Sequence, residues 1–372
     1  MMKQTTFKTL TALSCLTLAA PAAAQGGVSG FLGTLHKHHV LTSTEPANGD
    51  QNPYAILVAP VSAGSVQAGD ILVDNFNNQG NLQGTGSTIV DYRPSTGKLT
   101  TFATIPHDLP GCPGGIGLST AMVMLKSGWV IVGSAPSTDG TTKTLGKGCL
   151  IVLDSSGKVA DTITGPDIAD PWGNMAWIDN GDTATLFLSN AGFGIGAPGQ
   201  AVQNTATVLR LNLSIPAGRK PQVVSRTVIA DGFGAQADAS VFLVGPTGLA
   251  LGKNGELYVS DAIGNRIVAI PDAATRTGSA GTGTVVTQGG LLNRPLALAT
   301  APNGNLLTVN GLNGQAVEIA PASGKQVGAQ WIDKDEAQTP PGSGDLFGLA
   351  MAADGKGFYY VEDDVNTIAE AR

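Results

Sequence analysis

Charged and aromatic side chains are scarce in this sequence of 372 residues. Charged residues make up 13% of the chain and aromatic residues 5%, whereas a soluble protein usually carries about 25% charged residues. The net charge is −7, which argues against a nucleic-acid partner because proteins that bind the phosphate backbone need clustered Lys and Arg. No apolar run reaches the roughly 18 residues that a membrane-spanning helix needs.

Sequence motifs of common enzymes are also missing. The chain contains no Gly-x-Ser-x-Gly, no His-Glu-x-x-His and no glycine loop that would bind phosphate. It has four histidines, and none follows His107 in the sequence. His107, at the entry to the second repeat described below, is the only histidine expected on the functional face and is therefore the candidate for a general base. The missing motifs favour binding over catalysis.

Glycine, in contrast, is abundant, with 51 residues, about twice the usual share. The glycines follow no Gly-X-Y period, which excludes collagen, and the many Val, Ile and Leu residues exclude a disordered chain. No segment of the mature chain shows the 3.6-residue periodicity of an amphipathic helix. The composition predicts an all-β protein with many turns.

The N-terminus resembles a signal peptide. Lys3 and Lys8 precede an apolar stretch at residues 10–20, and small residues at 22–24 form a cleavage site before Gln25. We therefore expect residues 1–24 to be removed, leaving residues 25–372 as one domain that is periplasmic or secreted. Lipid attachment at Cys15 is an alternative, although the residues before Cys15 lack the expected leucine.

Cleavage after residue 24 would leave two cysteines, Cys112 and Cys149. An even pair in an exported protein predicts one disulfide bond. Both cysteines fall at the same end of the second repeat described below, so a flexible loop at Cys112 could bring them together. Two free buried thiols are the alternative.

A repeat covers the mature chain. Six apolar runs each end in a small polar or acidic residue, and these residues, called anchors below, are spaced by about 57 residues on average. The anchors are Asn75, Ser134, Asn190, Asp261, Asn310 and Glu362. Turn dipeptides such as Asn-Gly and Asp-Gly, which favour two-residue hairpins, precede several of the runs.

Each repeat contains four short strand signals, the pattern of a propeller blade. The sequence therefore predicts a six-bladed β-propeller of four-stranded antiparallel blades. The last repeat runs out after its third strand, while a segment within residues 31–43 is left over at the N-terminus. We expect this segment to supply the missing outer strand and close the ring, which would remove an exposed sheet edge.

The fourth repeat resembles the NHL repeat, in which a strand ends in Ser-Asp and continues to Asn-Arg-Ile. The matching residues run from Leu257 through Ser260 and Asp261 to Asn265, Arg266 and Ile267. NHL-like propellers are similar to the gluconolactonase/regucalcin-like and streptogramin-lyase-like groups. The resemblance implies the propeller fold and carries little information on activity.

The catalytic residues that the resemblance would imply are not matched. Gluconolactonase-like enzymes hold a divalent metal with a Glu in blade one and with Pro-Asn-Gly and Pro-Asp-Gly at later strand starts. This chain has Asn52 in blade one, and Trp172 and Thr247 stand at the middle positions of the two tripeptides. Streptogramin-lyase-like enzymes use paired histidines in late blades, where this chain has none.

The anchors should surround the mouth of the central channel on one face, because the second strands of all blades end there. Oxygen-bearing side chains at such a mouth suit a polar ligand or a hard cation. Structural capping of strand ends is the alternative. The first blade is richest in such groups, and the predicted ligand-binding residues are Asp50, Asn52, Asn75, Asn77, Asn190, Asp261, Asn310 and Glu362.

Three interpretations of function follow. We expect an exported binding or interaction module that acts as a monomer on a small polar ligand or a protein. The alternative is a metal-dependent hydrolase or lyase, similar to a lactonase, in which Asn190, Asp261 and Glu362 would hold a divalent cation such as calcium. The third is a redox or metal-handling accessory protein that uses His36 and His38, whose spacing places both on one strand face.

Overall fold

Residues 30–372 are described by a computed structural model and form a ring of six β-sheets. The predicted signal peptide and Cys15 lie outside the described residues. Within each blade, neighbouring strands pair antiparallel. The prediction of a six-bladed β-propeller is confirmed.

The first three blades follow one another directly in the chain. Blade 1 consists of β2 (Gln51–Val58), β3 (Ile71–Asn77), β4 (Thr88–Arg93) and β5 (Lys98–Thr104). Blade 2 consists of β6 (Leu118–Met124), β7 (Val130–Ser134), β8 (Cys149–Leu153) and β9 (Val159–Ile163). Blade 3 consists of β10 (Ala176–Asp179), β11 (Thr183–Asn190), β12 (Gln203–Ser214), β13 (Gln222–Asp238) and β14 (Phe242–Val244).

The last three blades return to the starting point of the ring. Blade 4 consists of β15 (Pro246–Leu251), β16 (Leu257–Asp261), β17 (Arg266–Ile270) and β18 (Thr284–Gln288). Blade 5 consists of β19 (Pro295–Thr300), β20 (Leu306–Asn310), β21 (Gln315–Ala320) and β22 (Lys325–Trp331). Blade 6 consists of β23 (Leu346–Met351), β24 (Phe358–Glu362), β25 (Thr367–Ala371) and the N-terminal strand β1 (His38–Ser43).

The N-terminal strand closes the ring, as predicted. β1 pairs antiparallel with β25, placing His39 opposite Glu370, and His39 Nε2 lies 3.4 Å from Glu370 Oε2. A short 3₁₀ helix, Leu32–Thr34, precedes β1 and lies against β22 of blade 5. The Glu318 carboxylate accepts the backbone N–H groups of Phe31 (3.0 Å) and Leu32 (2.9 Å). The segment before β1 is therefore fixed to blade 5, while β1 completes blade 6.

Blade 3 is larger than the four-stranded prediction. Its strands β12 and β13 are the longest in the protein's described part, and β13 turns back through a hairpin into the short strand β14. This extension explains why the interval from Asn190 to Asp261 is the longest of the repeat. It also brings Phe242 to the centre of the ring, where it packs against Phe76 and Trp172.

The blades pack against one another through apolar faces. The middle strands β3, β7 and β8 are buried along their whole length because neighbouring blades cover both of their faces. Three satellite cores join blade 1 to blade 2, blade 2 to blade 3, and blade 4 to blade 5, while the largest core lies around the axis. Burial of apolar area between blades is the main force that stabilises such a ring.

The predicted disulfide bond between Cys112 and Cys149 is present. The two Cα atoms lie 5.4 Å apart, and the bond ties the loop before β6 to the start of β8. Among residues 30–372, no helix is long and apolar enough to cross a membrane. The disulfide bond is compatible with the predicted export of the protein.

Candidate functional site

The inner strands of blades 1, 2, 4, 5 and 6 each contain a shift of register near their start. In blades 1 and 4 a side chain of the second strand accepts an N–H group at the shift. In blade 1 the register between β2 and β3 shifts between Pro53 and Ile56, which leaves the N–H of Ala55 without a partner in the ladder. Ala55 donates instead to the Asp74 carboxylate at 2.8 Å. The hydroxyls of Ser189 and Ser260 accept the equivalent bonds in blades 3 and 4. The residue before each of these anchors is therefore a structural cap.

The anchors themselves stand at the ends of the second strands, on one face of the ring, which we call the anchor face. All six are buried, with at most 8% of the side chain exposed. Asn190 accepts the N–H of Ala169 (3.3 Å) and donates to the carbonyl of Asp167 (3.2 Å). Asn310 accepts the N–H of Asn293 (2.9 Å), and Ser134 accepts that of Gly117 (3.1 Å). These side chains hold the loops that lead into their own blades.

The three predicted metal ligands lie in blades 3, 4 and 6 and have protein partners. Asp261 accepts the Nε–H of Arg266 at 2.8 Å and the N–H of Gly264 at 2.9 Å. Glu362 accepts the hydroxyl of Thr367 at 2.7 Å, and burial raises the pKa of its carboxyl to about 7. With Asn190 bonded to its loop, a metal role of these residues stays a prediction.

The polar residues predicted in blade 1 divide into caps and one pocket residue. The Asp50 carboxylate accepts the N–H of Ser87 (2.9 Å) and the hydroxyl of Thr88 (2.7 Å). Asn75 donates to the carbonyl of Thr44 (3.0 Å), and Asn77 donates to Asn81 (2.6 Å). Asn52, which adopts a positive φ of 65°, instead lines a cavity on the anchor face.

Aromatic side chains close the centre of the anchor face. Tyr54 stacks on Phe347 (ring centroids 3.9 Å apart) and on Phe76 (4.4 Å), and Trp172 packs edge-on against Tyr54 at 5.7 Å. With Phe242 from the blade 3 extension, these side chains form a buried group, which we call the aromatic plug. The channel mouth that the sequence predicted to be polar is filled by this plug.

The axial channel opens on the opposite face instead. A cavity of about 320 Å³ lies there, and residues from the inner strands of all six blades line it. Its lining contains apolar residues such as Leu249, Leu298 and Leu349, with no charged side chain. Asn174 lies in the cavity wall, where its side-chain amide nitrogen donates to the carbonyls of Leu249 (3.0 Å) and Leu298 (3.1 Å). Its polar atoms are therefore engaged in tying blade 3 to blades 4 and 5.

A second cavity lies off-centre on the anchor face, and we call it the anchor-face pocket. Its volume is about 410 Å³, and loops from blades 1, 3, 5 and 6 surround it. Its polar lining residues are Gln51, Asn52, Asn81, Ser240, Arg294, Gln338, Ser343, Asp345, Asp363 and Asp364. Convergent polar groups in a concave site are typical of small-molecule binding.

The charges of this pocket are unbalanced. Arg294 already pairs with Asp238, whose carboxylate lies 3.3 Å from the guanidinium. Burial, followed by repulsion from Asp364 and other carboxylates, raises the pKa of Asp345 to about 8. Burial likewise raises the pKa values of Asp363 and Asp364. The pocket therefore has an acidic wall that would gain from a cationic or hydrogen-donating ligand.

The candidate histidines lie outside both cavities. His107 is exposed in the loop before β6, and it lines neither cavity. His36 is exposed just before β1, and His38 starts that strand with both ring nitrogens buried and unpaired. Burial, with the nearby charges of Lys334 and His39, lowers the pKa of His38. Their catalytic and metal-binding roles stay predictions.

Comparison with solved structures supports the fold. The chain is similar to a gluconolactonase from Xanthomonas campestris, at 12% identity, with a TM-score of 0.53 over 90% of this chain and 88% of the other. It is also similar to regucalcin, a calcium-binding protein from Agrobacterium tumefaciens, at 11% identity, with a TM-score of 0.51 over 89% and 92% of the two chains.

A streptogramin B lyase gives a TM-score of 0.47 at 14% identity, over 90% of this chain and 97% of the lyase. Neither a protein-family model nor the sequence of a curated protein matches the chain. At such low identity the likenesses show the fold alone. The expected resemblance to gluconolactonase- and regucalcin-like propellers is thus confirmed for the fold.

Sequence reasoning missed the acidic residues of the pocket. Asp363 and Asp364 directly follow the anchor Glu362, at positions that are apolar or glycine after the anchors of blades 4 and 5, so the repeat pattern does not predict them. The signal that was present is the density of carboxylates at residues 333–336, 345 and 362–364. The aromatic plug was missed as well, because its members come from separate segments of blades 1, 3 and 6.

Proposed function

We propose that this protein is an exported binding module that holds a small polar ligand in the anchor-face pocket. The observation that carries the proposal is the convergence of amide, carboxylate and hydroxyl groups from four blades on one cavity of about 410 Å³. Asn52, Asp345 and Asp363 supply acceptors, and Arg294 supplies donors. We propose this pocket rather than the ring axis as the ligand site, because aromatic side chains fill the axis on the anchor face.

The chemistry of the wall defines the ligand class. Carboxylate and amide oxygens accept hydrogen bonds from hydroxyl and ammonium groups, so a polyhydroxy compound or a small amine fits the pocket best. An anionic ligand would meet three carboxylates. Export is supported by the disulfide bond, since such bonds persist in oxidising compartments.

The test is a thermal-shift titration with monosaccharides, sugar lactones and small amines. We expect a member of this panel to raise the melting temperature of the wild-type protein, because a ligand that binds only the folded state stabilises it by mass action. Ser240→Trp should abolish the shift, since Ser240 is exposed and lines the pocket. The control Ser95→Trp changes an exposed serine of the β4–β5 turn, outside the pocket.

A shift that persists in Ser240→Trp would place the ligand elsewhere and contradict the proposal. A panel that changes the melting temperature of neither wild type nor variants would also contradict the proposed ligand class. Circular dichroism of both tryptophan variants checks that each has kept the β-sheet fold.

The second candidate function is a hydrolase or lyase on the anchor face. The observation in its favour is that buried Glu362 and Asp345 have pKa values near neutrality, about 7 and about 8, which suits general acid–base chemistry. The solved structure from Xanthomonas campestris is described as a gluconolactonase. Lactone hydrolysis followed by pH-stat, lost in Glu362→Gln, would favour this function over binding alone.

A further inference from the structure

Three carboxylates from two loops, the β22–β23 loop and the β24–β25 turn, meet between blades 5 and 6. Asp333 follows β22, Asp345 precedes β23, and Asp364 lies in the turn between β24 and β25. One ligand oxygen of each lies within 4.8 Å of the others. Oxygens that contact a single Ca²⁺ at about 2.4 Å are separated by at most about 4.8 Å. The spacing of the three is therefore that of oxygens around one ion.

The three carboxylates have no basic partner. None of the ion pairs formed within residues 30–372 contains Asp333, Asp345 or Asp364. The strongest charges that act on Asp345 are those of Asp364, Asp333 and Asp335, all of them negative. Like charges this close repel one another in a partly buried site.

An independent observation concerns the hydrogen bonding of Asp345. Its side chain is 97% buried, since only 3% is exposed, and its Oδ2 atom has no hydrogen-bond partner. A buried carboxylate oxygen without a donor is costly, because it has lost water and gained nothing in return. Gln338, whose amide nitrogen lies 3.5 Å from Asp364, also has a buried carbonyl oxygen without a partner. Both oxygens are suitable ligands for a hard cation.

The surrounding backbone holds the loops in place. Gly314 in the β20–β21 turn donates to the carbonyl of Pro341 at 2.8 Å and accepts the N–H of Asp333 at 3.0 Å. Asp363 donates its N–H to the carbonyl of Asp345 at 2.9 Å. The carboxylates are therefore positioned by backbone bonds that do not depend on a cation.

We propose that Asp333, Asp345 and Asp364 form a calcium site that joins blade 5 to blade 6 at the wall of the anchor-face pocket. Calcium accepts six to eight oxygen ligands in flexible geometry, so carboxylates, an amide oxygen and water through the exposed side of Asp364 can complete its shell. These residues differ from the set predicted from the sequence. The inference stands without the proposed pocket ligand, because it rests on the carboxylates alone.

The test uses the full protein without any pocket ligand. Terbium, which replaces calcium, should give luminescence on excitation of tryptophan, since Trp331 lies two residues before Asp333. Calcium should displace it, and millimolar CaCl₂ should raise the melting temperature above that in NaCl of equal ionic strength. Asp345→Asn and Asp364→Asn should each weaken terbium binding at least tenfold and remove the calcium shift.

Asp182→Asn is the matched control, because Asp182 is an exposed carboxylate in the β10–β11 turn and should leave both signals unchanged. Without calcium, Asp345→Asn should melt at a higher temperature than the wild type, since it relieves repulsion; this also shows that it folds. Equal calcium responses of wild type and Asp345→Asn, or no response of the wild type, would overturn the site. Ser240→Trp should keep the calcium response, which separates this test from that of the pocket ligand.

Discussion

Asp74 shows how one position of the repeat is filled by different side chains. In blades 3 and 4 the residue before the anchor is Ser189 or Ser260, and its hydroxyl accepts the free N–H of the inner strand. Blade 1 has a carboxylate there, and Asp74 is fully buried with its Oδ2 atom unpaired. Burial raises its pKa to about 8, and the N–H bond from Ala55 offsets only part of this effect. A charged form is therefore disfavoured in the folded protein.

We expect Asp74→Ser to remove a pH dependence of stability. The folded-state pKa of about 8 lies above the unfolded value of 3.8, so the wild type is relatively most stable below pH 4 and loses stability as the pH rises towards 8. The loss can reach about 6 kcal/mol, since one pKa unit corresponds to about 1.4 kcal/mol. Urea unfolding at pH 4 and pH 9 measures the effect.

Asp74→Asn is the second variant, because it keeps the size of the side chain and the acceptor for Ala55. Both variants should exceed the wild type in stability at pH 9 and approach it at pH 4. If the wild type and both variants showed parallel pH profiles, Asp74 would be ionised at no cost, contrary to its burial.

For single residues, the sequence predicts where a side chain lies in the fold better than what that side chain does there. The six anchors lie where the repeat placed them, yet Asn190, Asn310 and Ser134 bond to the loops of their own blades. A small polar residue serves equally as a cap or as a ligand, and only the direction of its side chain decides between the two. That direction depends on bulges that the strand pattern does not reveal.

Among the elements, the segment before β1 depends on a single carboxylate. Glu318 is fully buried in β21 and accepts four donors: the N–H groups of Phe31 and Leu32 and the side-chain amides of Asn303 and Asn305. These bonds lower its pKa despite the burial of the carboxyl. The charge is therefore matched by donors and stabilises the attachment of this segment to blade 5.

Glu318→Gln should destabilise the protein by about 2–4 kcal/mol. The NH₂ group of the new side chain would face N–H groups that now donate to the carboxylate, so hydrogen bonds would be lost. Since the folded-state pKa of Glu318 is lowered, its contribution is present above pH 4.5 and is lost as the pH falls below that value. The difference between wild type and variant should therefore narrow in acid. Chemical denaturation at pH 7 and pH 3 tests this, with exposed Glu336→Gln as a control that should match the wild type.

The disulfide bond fixes a second element, the loop before β6. It closes a loop with a sequence separation of 37 residues, so its loss should cost about 2–5 kcal/mol through the greater freedom of the unfolded chain. The double variant Cys112→Ser/Cys149→Ser should show this loss in reversible thermal unfolding. If the reduced wild-type protein and the oxidised one unfolded at the same temperature, the bond would have no stabilising role.

Strands were easier to predict than their extensions. Alternating turn signals and apolar runs mark β15 to β17 and β19 to β21, because each run is short and bounded by Gly and Asn. The hairpin of β13 and β14 follows no repeat, and Phe242 gave no signal that it would reach the ring centre. Tertiary packing places this extension, so a local pattern cannot predict it.

For the whole molecule, the ring is held closed by β1 in blade 6. A chain that begins at residue 45 lacks this strand and exposes the edge of β25, which invites pairing with other chains. We expect it to aggregate and to melt well below the wild type in light-scattering and calorimetric scans. A synthetic peptide of residues 36–44 should restore part of the stability by adding the strand in trans. A truncated chain that stayed monomeric at the wild-type melting temperature would show that closure is unnecessary.

The count of repeats predicted the ring, but it did not predict what fills the ring's centre. Each inner strand presents one residue at the level of the plug, and blades 1, 3 and 6 place Tyr54, Trp172 and Phe347 there. Blades 2 and 4 place Ser119 and Thr247 at that level, so the large rings have room to meet across the axis. Whether the channel is open depends on the combined volume of the side chains that all blades place at the axis. The sequence of one repeat alone therefore cannot predict it.

Because the aromatic plug fills the ring axis, the apolar cavity and the anchor-face pocket open on opposite faces of the ring. A solute in the apolar cavity cannot pass along the filled axis to the anchor-face pocket. A ligand in either cavity leaves the other one accessible from its own face of the ring. The protein therefore has separate binding cavities on its two faces instead of a continuous channel. An apolar compound and a polar compound could bind at the same time without competing.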